Sequence, residues 1–213
     1  MNKILASLSD KFHNIKAYIH NRWVAKTHCL TASRSDIKKG SWCDVGDRFL
    51  PCLFNELVDF VEVEKASHQA WSSDKHKYGY SNWKAFLGAW RSPQAGIDYL
   101  LWESSLTDDE LTGSGNSALS KQALLAKEVL DLYVWWTIKY RARPDSAVAS
   151  GWSKFCRDYP LSSRTLLDWN DDPVTAKKSV DIINAMDAID KKYADEDEEM
   201  MIRLIKIRGS LWT

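Results

Sequence analysis

The chain has no excess of charge of either sign, with 29 Lys and Arg against 29 Asp and Glu, and it holds only 9 glycines, 5 prolines and 4 cysteines in 213 residues. Zero net charge argues against a general nucleic-acid coat and against electrostatic attachment to anionic lipid. No apolar run approaches the roughly 18 residues of a membrane span, and Met1–Asp10 has no signal-peptide core. The expectation is a soluble, unexported protein without a membrane partner. Cys29, Cys43, Cys52 and Cys156 include no CxxC pair, which suits a reducing compartment. His28 and Cys29 are adjacent, not spaced as a zinc knuckle requires, so no zinc site is expected there. Also missing are GxSxG, HExxH, GxxxxGK[ST] and GxGxxG. Their absence removes triad hydrolysis, zincin, P-loop and Rossmann readings.

What is present is helical periodicity, in a chain whose length suits one compact domain over residues 1–213. Leu5, Leu8, Phe12, Ile15, Ile19 and Trp23 recur at three- and four-residue steps and predict an amphipathic helix over about 3–24. Lys3, Lys11, Lys16 and Arg22 lie off that stripe. A polar loop, Thr31 to Asp47, leads to a second helix over about 47–66, with Pro51 expected in its first turn. Residues 67–118 read as an aromatic-rich insertion, in which Ser81 and Ser92-Pro93 cap short helices. Thr112–Ser117 reads as a flexible joint. A central, mostly buried helix follows over about 119–141, ended at Arg143-Pro144. Asp172-Pro173 opens another helix, and the acidic run Asp195–Glu199 precedes a basic segment ending at Gly209, a pattern that suits the helix dipole. No stretch alternates as a half-buried strand does. The predicted fold is all-α.

Three sets of residues carry chemistry. Asp59 and Glu62 share one side of the second helix, and Glu128 and Asp131 share one side of the central helix. Packed antiparallel, two such helices would offer four carboxylates to Mg²⁺ or Mn²⁺, which could clamp a triphosphate and activate water. Secondly, Glu64 falls within the apolar Leu57–Phe60 face at 100° per residue, so it reads as a buried acid needing a partner such as Arg48, Arg203, Lys206 or Arg208. Thirdly, Trp83, Trp90 and Trp102 could stack a ligand or form an interface. Nucleic acid is disfavoured, because no basic funnel accompanies the aromatics.

The two acidic pairs resemble the ExxE…ExxD signature of the all-α nucleoside triphosphate pyrophosphatases, the MazG and dimeric dUTPase group. That resemblance implies that Asp59, Glu62, Glu128 and Asp131 are metal ligands. The chain departs from the pattern: its first pair begins with Asp, and the gap between the pairs is much longer. A second resemblance rests on Asp47–Ala66 (DRFLPCLFNELVDFVEVEKA), on Glu128–Trp136 (EVLDLYVWW) with Ser150-Gly-Trp152, and on Asp195 through Thr213. These stretches are similar to a group of proteins encoded by tailed bacteriophages. This implies a phage protein in the host bacterial cytoplasm or the virion, and supplies no activity. Two classes are therefore expected: a cofactor-free accessory protein binding a host or phage partner or forming part of a particle, or a Mg²⁺-dependent pyrophosphatase.

Overall fold

The computed structural model describes residues 2–19, 36–37, 40, 42–86, 90–113, 115–160 and 173–211, with the side chains of 2–10 and 86 excepted. Among these residues the fold is all-α: no strand forms, and one isolated bridge joins Thr107 to Leu119. Helix α1 spans Asn2–Ile19, α2 Val45–Asp59, α3 Asn82–Phe86, α4 Pro93–Glu103, α5 Asp108–Thr112, α6 Lys121–Val134, α7 Ser146–Ala149, α8 Trp152–Asp158 and α9 Pro173–Ile207. Trp23, Cys29, His20, His28, Leu87, Trp169 and Trp212 lie outside the described residues. The chain divides into two compact units, Met1–Tyr133 with Lys206–Thr213, and Val134–Ile205.

In the first unit, α2 buries Leu50, Phe54 and Leu57 at helical spacing and runs directly into a π-helical segment, Phe60–Lys65. The helix starts two residues earlier than the sequence suggests, so Pro51 is buried within it and not in its first turn. The Ser92-Pro93 cap forms as read: the Ser92 hydroxyl accepts the Ala95 N–H at 3.3 Å and starts α4. The Ser92 N–H in turn donates to the Glu62 carbonyl at 2.9 Å, which ties α4 to the π segment. Gly96 permits that approach, because a Cβ there would stand 2.0 Å from the Val61 carbonyl oxygen. No other residue type fits without moving one of the two backbones.

Helix α6 buries Ala123, Ala126, Val129, Leu132 and Tyr133, while Leu124 on its back is 54 % exposed. It buries one broad side and leaves its back open, as an amphipathic helix does. A smaller aromatic cluster packs Trp90 with Ala66 and Ala95. Gly115 and Asn116 are bonded to α5: Asp109 N–H donates to Asn116 O at 2.9 Å, Gly115 N–H to Asp109 Oδ1 at 2.6 Å, and Asn116 Nδ2 to Asp108 Oδ2 at 3.0 Å.

In the second unit, a π-helical turn over Trp135–Tyr140 buries two adjacent tryptophans, Trp135 and Trp136. The Arg143 guanidinium lies 4.8 Å from the Tyr140 and Tyr193 ring centroids and 5.3 Å from that of Trp135. It pairs with Glu196 at 2.9 Å and Asp197 at 2.6 Å. The acidic run therefore lies inside one continuous 35-residue helix, α9, and not at a helix start. Two of its members answer Arg143, so the dipole reading of the run is replaced by a cation–π and ion-pair cluster. The Trp135 indole N–H, donated to Glu196 Oε1 at 2.7 Å, holds that carboxyl below the ordinary range, with Arg143 adding to the effect and burial opposing it.

Candidate functional site

The first acidic pair is brought together, but on an arginine. Asp59, at the end of α2, and Glu62, one turn on, both face Arg91 just ahead of α4. Arg91 Nη2 is 2.7 Å from Asp59 Oδ1, and its Nε donates to Glu62 Oε2. The other Glu62 oxygen accepts the Tyr133 hydroxyl at 2.8 Å. Burial first, and then the adjacent Glu62 carboxylate, push the Tyr133 phenol far above its ordinary value, so it stays a donor. This charge-assisted cluster joins α2, α4 and α6. Glu128 is half-buried and Asp131 exposed. Among the described residues no three His, Cys, Asp or Glu side chains gather as a metal site would need. The structure thus pairs Asp59 with Glu62 and does not gather them with Glu128 and Asp131.

Glu64 is a correction. It lies on the exposed surface. The reading at 100° per residue fails because Phe60–Lys65 is π-helical, and i→i+5 bonding turns the chain less per residue than an α-helix does. The buried acid is instead Glu103, the last residue of α4, whose side chain is 5 % exposed. Its Oε2 lies 3.1 Å from Lys65 Nζ, while its Oε1 accepts from Lys65 at 3.3 Å and from Gln122 Nε2 at 2.6 Å. Lys65 sits 5.4 Å from the ring centroids of both Phe60 and Tyr99. His68 stacks on Tyr99 at 4.4 Å, and burial together with the nearby Lys65 ammonium lowers its pKa. A sequence signal for Glu103 existed: it continues the Gly96–Leu100 stripe of α4 at helical spacing.

This ion pair borders a cavity of about 500 Å³ in the first unit, with Phe60, Leu100 and Val129 among its apolar walls and Lys121 and Gln122 among its polar ones. Its size falls within the range of small-molecule sites, roughly 300–1,000 Å³.

The three tryptophans divide. Trp90 is 6 % exposed, donates its indole N–H to the Tyr78 carbonyl at 3.3 Å and meets Tyr80 edge-on at 5.0 Å, so it is core and not an interface residue. Trp83 is 67 % and Trp102 53 % exposed, the latter beside Tyr99. Sequence reasoning missed a larger exposed surface. On α1, Phe12, Ile15 and Ile19 are 71 %, 59 % and 52 % exposed, while Ala17 on the other side is half-buried. Residues 11–16, 18 and 19 are all exposed, so the apolar stripe is open to solvent together with the polar side of the helix. Lys11 and Lys16 flank that stripe on either side at about 100° per residue, and Asp10 lies opposite it.

The fold and these surfaces define an all-α protein whose N-terminal amphipathic helix presents its apolar side to solvent. No family model, no curated protein and no solved structure matches the chain.

Proposed function

We propose that the protein works by binding a partner protein through the apolar stripe of α1. The observation that carries this reading is the exposed Phe12–Ile15–Ile19 stripe, an amphipathic face of the kind that docks into an apolar groove at i, i+3 and i+7. Lys11, beside the stripe, favours a groove that is apolar at its floor and acidic at its rim. Pairing of two α1 helices would bring like-charged rims together, which disfavours a second copy as the occupant. The resemblance to tailed-phage proteins points to a host or phage protein as partner, met in the bacterial cytoplasm or in a particle. The pyrophosphatase reading is not carried forward, because its first carboxylate pair is engaged by Arg91. No helix among the described residues is long and apolar enough to cross a membrane.

The test uses the purified full chain with Phe12 and Ile15 both replaced by Glu. The reading expects a protein that co-purifies in fixed ratio with the wild type to be lost from the variant, with helix content and melting temperature unchanged. Equal recovery of that protein by the variant contradicts it, as does binding only to anionic vesicles or only to a second copy of the chain.

A further inference from the structure

A buried ion pair is a poor source of stability, because desolvating two charges offsets most of their attraction. Lys65 and Glu103 are 14 % and 5 % exposed, and they sit at the edge of a cavity, not within a sealed core. Their surroundings have a consistent polarity. Phe60, Leu100, Leu125 and Val129 give the cavity apolar walls, contributed by the π segment, α4 and α6. Among the described residues its charged lining is two ammonium groups, Lys65 and Lys121, against the Glu103 carboxylate. Lys65 pairs with the Glu103 carboxylate and Gln122 donates to its Oε1, while Oε2, 3.1 Å from the ammonium, accepts no hydrogen bond. Lys121 is exposed, and it supplies the excess positive charge. A ligand suited to this lining has an apolar body and one negative charge.

We infer that the cavity between the π segment, α4 and α6 is a binding site for a small amphipathic monocarboxylate, its chain against Phe60, Leu100 and Val129 and its carboxylate toward Lys121 and Lys65. Glu103 acts as a positioning residue: it fixes the Lys65 ammonium, which has three donors, at the cavity wall. The site is separate from the α1 stripe, so it stands or falls independently of the partner reading.

The experiment is calorimetric titration of the full chain with decanoate and, as a neutral control, with decanol, both below their self-association concentrations. Decanoate is expected to bind one per chain and at least about tenfold more tightly than decanol, a charge-assisted contact being of that order. Lys121→Glu, a surface change, should lower decanoate affinity about tenfold or more and leave decanol unchanged. Leu125→Trp, at a half-buried wall position, should fill the cavity and remove both ligands. Because Lys65 alone cannot be removed without stranding Glu103, the joint change Lys65→Met with Glu103→Met tests the pair, and it should weaken decanoate selectively. Absence of decanoate binding overturns the inference. Binding that survives Leu125→Trp, or that ignores charge at residue 121, overturns it equally.

Discussion

Helices α1 and α6 are built on the same pattern and end in opposite circumstances. Each carries apolar residues at three- and four-residue steps with polar residues between them. In α6 the stripe is covered, with Ala126 and Val129 at 3 % exposure and Leu132 at 0 %. In α1 the equivalent stripe is open, with Phe12 at 71 %. Periodicity thus reports which side of a helix is apolar, and it is silent on whether the chain itself supplies the cover. The covered helix belongs to the scaffold. The open one is what the scaffold displays.

The acids give the sharpest form of the same contrast. Glu103→Ala leaves the Lys65 ammonium buried without its carboxylate and should cost about 3–5 kcal/mol. Glu64→Ala, at the surface, should cost less than about 1 kcal/mol. Urea denaturation of both variants checks this, and equal losses would break the distinction. On the helices themselves, Leu132→Ala should cost about 2–5 kcal/mol, against about 0.5 kcal/mol or less for Ile15→Ala. A large loss at Ile15 would mean that α1 is covered after all. Gly96→Ala probes the closest packing in the scaffold. With 2.0 Å between the added Cβ and the Val61 carbonyl oxygen, α4 must move away, at about 1–3 kcal/mol by the same measurement.

The smallest expected effect is one of pH. His68 has a lowered pKa, from burial and from Lys65, so the folded state favours the neutral ring. As pH falls below about 6.5, the unfolded chain takes up this proton before the folded one does, and stability drops. The melting temperature of the wild type should therefore fall more than that of His68→Gln between about pH 7 and pH 5. Equal falls would remove His68 from the account.

Much of the architecture was legible in the sequence. The all-α class, the Ser92-Pro93 start of α4 and the course of α6 followed from periodicity and capping chemistry. The errors share a physical origin. Glu64 was placed by a 100° step that the π segment does not obey, so the buried acid was sought beside α2 and not on α4. Nothing in the residue types of Phe60–Lys65 announces i→i+5 bonding. The acidic pairs have helical spacing in sequence, but only coordinates reveal that Arg91, 29 residues from Glu62, meets the first pair. The Lys65–Glu103 pair, 38 residues apart, is of the same kind. The exposed stripe of α1 was visible as a pattern, and its openness was not.

The central claim is that this open stripe is a protein-binding face, and photocrosslinking tests it most directly. A photoreactive phenylalanine derivative is placed at Ile15, within the stripe, or at His13, on the far side of the same exposed helix. Both probes are irradiated in bacteria producing the protein. The account predicts a discrete protein adduct from residue 15 that is absent from residue 13 and that disappears when Phe12 is also changed to Glu. Equal adducts from both positions, or none from residue 15 except to the chain itself or to lipid, would contradict it.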